Sequence, residues 1–150
     1  MMGVSKAIAA AGGIGYIGKG AGSVAAAAYC IVWQFTSLGG SPLAAGIALM
    51  VVLVVGVMSA QVVEREWGHD SSRVVIDEVA GMMITLLGVP VQWKYTVTAF
   101  VLFRFFDIAK PLGIRRAERL PGGWGVMADD VLAGLYAWVL LQAIIGIKLF

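Results

Sequence analysis

The chain has 150 residues, of which 60% are hydrophobic and 13% charged, and its formal net charge is +2. Soluble domains carry about 25% charged residues, so we expect most of the surface to face lipid. The small net charge argues against a nucleic-acid partner, which requires a concentrated basic face. The single cysteine, Cys30, excludes an internal disulfide and a cysteine metal cluster.

Residues 1–20 form a glycine-rich arm that carries Lys6 and Lys19. Glycines and Lys19 interrupt its apolar stretch, so we expect an attached cytoplasmic or interfacial arm rather than a cleavable signal peptide. Gly13–Lys19 matches most of a nucleotide phosphate-binding loop. No hydrophobic strand precedes it and no α/β pattern follows, so we reject that interpretation.

Five apolar segments predict an all-α, polytopic membrane protein with one domain over residues 1–150. A membrane-spanning helix needs about 20 apolar residues. The first, second and fifth segments meet the working range of about 17 to 25 residues. The third and fourth segments reach it only if their charged ends belong to the helices, as Val74–Val89 and Trp93–Asp107. The segments are Ala21–Leu38, Pro42–Val63, Val79–Val89, Tyr95–Phe103 and Val131–Ile147.

Threading these segments across a bilayer places most charges on one side. With the N-terminal arm in the cytoplasm, the loops Glu64–Arg73 and Asp107–Asp130 are also cytoplasmic. Nine of the eleven Lys and Arg residues lie on that side, counting Arg104 at the inner end of the fourth segment. This distribution agrees with the positive-inside rule. All nine acidic residues fall on the same side, although acids follow no strong topological rule. A shared polar site at the cytoplasmic helix ends would explain this, and a solvated face of ion pairs is the alternative.

Three clusters in this sequence could carry chemistry. Asp77 and Glu78 open the third apolar segment, where negative charge suits a helix N-terminus, although one of them could simply cap the helix. Arg104, Asp107 and Lys110 recur every three residues and so share one face. That face suits a phosphate beside a metal ion, or an internal salt bridge.

The third cluster, Asp129 and Asp130, follows a glycine-rich stretch. We expect Gly122, Gly123 and Gly125 to form a flexible loop that folds over a phosphate and delivers the two acids to the start of the last helix. One of the acids could serve as its N-cap.

Five acids gathered at three helix ends would repel one another unless a cation lies between them. Mg²⁺ prefers oxygen ligands and is often bound by a few carboxylates together with a substrate phosphate. A metal site rich in histidine is excluded because His69 is the only histidine. His69 itself could be a proton donor or a solvated loop residue.

Together the three clusters resemble the phosphatidylglycerophosphatase A family. The matching stretches are Val75–Met82, Phe103–Pro111 and Gly125–Ala137, and the resemblance extends over roughly Gly15 to Ala137. An N-terminal motif of that family, P-K-A-P-G-T-x-G-S, corresponds here to Gly18–Ala26. Lys19 and Gly22 are kept, Ser23 replaces threonine and both prolines are absent.

The resemblance implies an all-α enzyme of the bacterial inner membrane that uses Mg²⁺ to convert phosphatidylglycerophosphate to phosphatidylglycerol and phosphate. The family's acidic motifs match Asp77, Glu78, Asp107, Asp129 and Asp130, which we expect to be the catalytic and metal-binding residues. For substrate binding we expect Arg104 and Lys110, together with Lys19 and Ser23 of the arm. The nucleophile, a water or an aspartate, stays open, as does the oligomeric state.

Two rival functions use the same acids. In an ion or proton transporter, acids would line a route across the membrane, but here the outer side is nearly without charge. A lipid phosphotransferase also uses paired acids with Mg²⁺, but the sequence has no D-G-x-x-A-R pattern to support it. The phosphatase therefore remains the prediction.

Overall fold

The computed structural model describes residues 1–149, and all regular secondary structure within them is helical. The prediction of an all-α fold is confirmed. Short 3₁₀ segments cover Ala11–Ile17 and Ser37–Gly40. The α-helices are α1 (Met2–Ala9), α2 (Ala21–Phe35), α3 (Pro42–Trp67), α4 (Ile76–Leu86), α5 (Trp93–Ala109), α6 (Ile114–Ala117) and α7 (Gly123–Gly146).

Two of these helices, α3 and α7, are long and apolar enough to cross a membrane, judged by length and composition. At a rise of 1.5 Å per residue, the 15 residues of α2, 11 of α4 and 17 of α5 extend over about 22, 16 and 25 Å. The hydrocarbon core of a bilayer is about 30 Å thick. The expectation of about five apolar spanning helices is therefore not confirmed for the described chain.

The last helix begins earlier than predicted. α7 starts at Gly123 rather than near Val131. The expected flexible glycine loop is wrong, because Gly123 and Gly125 lie inside the helix and are closely packed. A Cβ atom on Gly123 would lie 2.1 Å from the carbonyl oxygen of Val57, and one on Gly125 would lie 2.1 Å from that of Leu120. Asp129 and Asp130 consequently lie in the second turn of α7, so neither of them is its N-cap.

The N-terminal arm packs against the rest of the protein. α1 lies along α3, and the Lys6 ammonium lies 2.6 Å from a carboxylate oxygen of Glu66. The backbone N–H of Val75 donates to the carbonyl oxygen of Ala9 at 2.9 Å. The arm therefore supports the loop 68–75, which leads into α4.

Successive long helices run in alternating directions, so several helix termini lie together at one end of the molecule. Gly22 near the start of α2 approaches Glu78 at the start of α4. α4 and α7 run parallel, because Thr85 hydrogen-bonds to Gly134 and Trp138 donates from its indole to Leu87. The starts of α2, α4 and α7 and the ends of α3 and α5 thus lie together, as the threading predicted.

Candidate metal and phosphate site

A polar cavity of about 580 Å³ opens at this shared end of the helices. The starts of α2 and α4, the end of α5 and the second turn of α7 form its walls, together with the loop before α4. All three predicted clusters meet in it. The lining residues include Asp77, Glu78, Arg104, Asp107, Lys110, Asp129 and Asp130.

The acids are held at different depths. Asp77, Asp129 and Asp130 are buried, and Asp130 is only 2% exposed. Glu78 and Asp107 are partly buried. The Thr85 hydroxyl helps to set this arrangement, because it lies 2.9 Å from the carbonyl oxygen of Gly81 and 3.2 Å from that of Gly134. It ties α4 to α7 just beyond the carboxylates.

The five carboxylates form two overlapping groups. Asp77, Glu78 and Asp130 each offer an oxygen atom within 4.8 Å of the others, and so do Asp107, Asp129 and Asp130. Among the described residues, Glu78 Oε2 and Asp130 Oδ1 are buried without a hydrogen-bond partner. A buried, unpaired carboxylate oxygen is costly, and a cation would satisfy it. The all-oxygen donor set suits a hard cation such as Mg²⁺.

Two basic residues of the cavity, Arg104 and Lys110, are paired with acids. The Arg104 guanidinium donates to Asp107, one turn away on α5. The Lys110 ammonium donates to Asp129 at 2.8 Å and also to Glu118. Burial lowers the pKa of Lys110, but these two hydrogen bonds outweigh it and the pKa is raised overall. Lys110 therefore stays a cation beside the carboxylates.

The two predicted binding residues of the arm differ in position. Lys19 lines the cavity and is exposed at its edge. Ser23 lies in the first turn of α2 and is not among the lining residues. Gly22 reaches the site instead, because a Cβ atom there would lie 1.9 Å from Glu78 Oε1.

His69 lies outside the cavity lining. Its Nδ1 hydrogen-bonds to the carboxylate of Glu64, which raises the pKa of the imidazole. The position agrees with a loop residue rather than a proton donor to a substrate in the cavity.

Sequence reasoning missed several cavity residues. Asp70, Ser71 and Ser72 of the loop before α4 line the cavity, and Glu118 pairs with Lys110 from the loop after α6. The polar run directly before Asp77 was an available signal for the first three. No sequence signal marked Glu118, because its partner lies eight residues away across a turn.

The fold and the site define an all-helical protein with a cluster of buried carboxylates that could hold a metal ion beside cationic side chains. The sequence model of phosphatidylglycerophosphatase A matches residues 7–145. The chain belongs to the phosphatidylglycerophosphatase A family.

Named relatives share long stretches of this sequence. A Bacteroides thetaiotaomicron protein, provisionally named a phosphatidylinositol-3-phosphatase, is 52% identical over 99 residues, covering 63% of this chain and 62% of that protein. The phosphatidylglycerophosphatase A of Haemophilus influenzae is 47% identical over 78 residues, covering 51% of this chain and 48% of that protein. The Escherichia coli protein of the same name is 36% identical over 106 residues, covering 69% and 56%.

The matches cover between about half and three fifths of the length of these relatives. No solved structure matches the chain.

Proposed function

We propose that the protein is a Mg²⁺-dependent lipid phosphatase that hydrolyses phosphatidylglycerophosphate to phosphatidylglycerol and phosphate. The observation that carries this proposal is the pair of carboxylate groups that share Asp130 inside one cavity. Membership of the phosphatidylglycerophosphatase A family supports the reaction, as do the names of two relatives.

Asp77 and Glu78 would hold a metal ion from α4, and Asp107, Asp129 and Asp130 would hold it from α5 and α7. When bound, Mg²⁺ would polarise the phosphoryl oxygens and orient a water molecule. Arg104 and Lys110 lie beside the acids, where their positive charge would stabilise the transferring phosphoryl group. Lys19 and the start of α2 also line the cavity and would bind the same phosphate, since a helix N-terminus favours negative charge.

The membrane is the proposed location, with the cavity facing the cytoplasm of a bacterial cell. α3 and α7 support this proposal, because only 28% and 33% of their most apolar stretches are buried inside the protein. Leu43, Ile47, Met50, Val54 and Met58 expose large apolar side chains along α3. A lipid surrounding would cover them, while the substrate's acyl chains stay in the bilayer and its headgroup enters the cavity.

Phosphate release by the purified protein, reconstituted in lipid vesicles, tests the proposal. The panel contains phosphatidylglycerophosphate, phosphatidic acid and phosphatidylinositol 3-phosphate, each with and without Mg²⁺. The control is phosphatidylglycerol, which has no phosphate monoester. We expect Mg²⁺-dependent release, fastest from phosphatidylglycerophosphate.

Two outcomes would redirect the proposal. If phosphate is released fastest from phosphatidylinositol 3-phosphate, the proposed activity becomes the one in the name of the Bacteroides relative. Release from none of the monoesters would contradict the phosphatase. Cation transport by the same vesicles would then favour the transporter, although the gathering of the acids at one end of the helices does not favour that function.

A further inference from the structure

The segment that joins α5 to α7 exposes basic and apolar side chains next to the cavity. We propose that this surface, called here the arginine surface, docks on anionic lipid headgroups. The inference rests on the membrane location in the proposed function. The arginine surface consists of Leu112, Arg115, Arg116, Arg119, Leu120 and Trp124, all of them exposed.

The protein holds this segment in one orientation. Ile114 of α6 is fully buried, and the Tyr136 hydroxyl of α7 donates to the carbonyl oxygen of Leu112 at 3.1 Å. At the C-terminal end of the segment, the backbone of Leu120 packs against Gly125. A Cβ atom on Gly125 would lie 2.1 Å from the Leu120 carbonyl oxygen. Because the segment is anchored from inside, its arginines are presented outward.

The positive charge of the arginine surface is not neutralised by its own segment. Glu118 is the only acid between Pro111 and Trp124, and it turns toward Lys110 of the cavity. Within residues 1–149, none of the three arginines forms an ion pair. The surface therefore offers three unpaired cations to a partner.

The flanking apolar side chains favour lipid as that partner. Leu112 is 78% exposed and Trp124 is 63% exposed, and Trp124 lies in the first turn of α7, one of the two helices that could cross a membrane. Tryptophan favours the membrane interface, and arginine can bury its stem there while its charge reaches the headgroups. Anionic lipids attract such basic segments, roughly fivefold in affinity for each Lys or Arg.

This position has a consequence for the proposed reaction. Lys110 and Glu118 belong to the same stretch of chain as the arginine surface, and Lys110 lines the cavity. Anionic lipids gathered by the arginines would thus be concentrated beside the cavity in which the phosphate is proposed to react.

Fluorescence quenching in vesicles tests the proposal without any substrate. A cysteine placed at the exposed position 121 (Pro121→Cys) carries an environment-sensitive dye, while the native Cys30 is buried. The protein is reconstituted in phosphatidylcholine alone or mixed with phosphatidylserine, and both contain a lipid with a nitroxide in its headgroup. We expect stronger quenching with phosphatidylserine, and the difference should shrink in high salt because salt screens exposed charges.

Two arginine variants and one distant variant complete the design. The first is the triple variant with Arg115→Gln, Arg116→Gln and Arg119→Gln, which should abolish the difference in quenching between the two lipid mixtures. The second has lysine at the same three positions and should keep that difference. Lys148→Gln, which removes a cation at the far end of α7, should also keep it.

The proposal would be overturned if quenching with the arginines unsubstituted did not depend on lipid charge. That result is expected if the surface binds a protein partner instead. Survival of the difference in the triple glutamine variant would overturn it too. A failure of the phosphatase assay in the same vesicles would leave this quenching unchanged, so the two proposals fail separately.

Discussion

Gly134 of α7 lies against Gly81 of α4 so closely that a Cβ atom on Gly134 would be 2.4 Å from the carbonyl oxygen of Gly81. Each glycine lies four residues after a buried acid of the cavity, Asp130 in α7 and Asp77 in α4. Residues four apart share one face of a helix, so the same close approach that joins the glycines brings the two carboxylates together. A backbone contact between helices thus determines the geometry of the candidate site.

Gly134→Ala should therefore lower both stability and activity. The clash is with backbone, which cannot rotate away, and overpacking of this kind costs about 1–3 kcal/mol of unfolding free energy. Thermal unfolding in detergent and the rate of phosphate release measure the two effects. The matched control is Gly146→Ala in the same helix, where a Cβ would meet no atom within 4 Å. Equal unfolding temperatures for the two variants would contradict the tight contact.

Much of the fold could be predicted from local patterns. The five apolar segments each correspond to a helix, and the placement of charges predicted which helix ends lie together. The start of α7 could not be predicted this way. Judged from the local sequence, Gly123 and Gly125 are typical of a loop. In the structure they lie within a helix, and the close contacts with Val57 and Leu120 explain why these helical positions are glycine. Those contacts are distant in sequence or depend on the path of the preceding turn.

The candidate site shows the same division. Asp77, Asp107 and Asp130 were predicted because acids beside apolar sequence are unusual, and all three line the cavity. The partners of the cations were less predictable. The pairing of Lys110 with both Asp129 and Glu118 depends on how the loop after α5 turns back, which the spacing of charges does not determine. The roles of these residues stay predictions.

Gly22→Ala should reduce activity more than stability. The added methyl group would displace the Glu78 carboxylate, because the new Cβ atom would lie 1.9 Å from Glu78 Oε1. The end of a glutamate side chain can move at little cost, so the unfolding temperature should change slightly, whereas a displaced metal ligand should weaken Mg²⁺ binding. The Mg²⁺ concentration for half-maximal activity measures this.

Ser23→Ala is the neighbouring control for Gly22→Ala and also tests the sequence-based assignment of Ser23. Because Ser23 does not line the cavity, activity and Mg²⁺ dependence should stay close to those of the unsubstituted protein. If Ser23→Ala loses much of its activity and Gly22→Ala does not, α2 contributes to the site through the Ser23 hydroxyl group.

Lys110→Met should separate two effects of one cation. Without the ammonium, Asp129 and Glu118 lose a partner, so the cavity becomes more negative and should bind Mg²⁺ more tightly. If Lys110 also stabilises the phosphoryl group, kcat should fall by about 10²–10³-fold, the usual loss on removing one charge-stabilising donor. Titration of Mg²⁺ against thermal stability measures the first effect, and turnover at saturating Mg²⁺ measures the second. Unchanged kcat would limit Lys110 to holding the carboxylates.

The carboxylates give the most decisive prediction. Asp130 belongs to both groups of three acids, whereas Asp77 belongs to one. Replacing either by asparagine keeps the shape and removes the charge. Asp130→Asn should therefore reduce activity and Mg²⁺ binding more than Asp77→Asn does, and both should reduce turnover by orders of magnitude.

Stability in the absence of metal distinguishes a site from a structural role. Removing one of several crowded negative charges relieves repulsion, so the metal-free Asp130→Asn protein should unfold at the same or a higher temperature. A ligand that binds only the folded state raises its stability, so the unsubstituted protein should gain stability on addition of Mg²⁺ and the variant should gain little. Glu66→Gln, an exposed acid outside the cavity, is the control and should retain both activity and the Mg²⁺ effect. If Asp130→Asn unfolds at a lower temperature without metal and keeps the Mg²⁺ effect, Asp130 serves structure and the shared metal site is wrong.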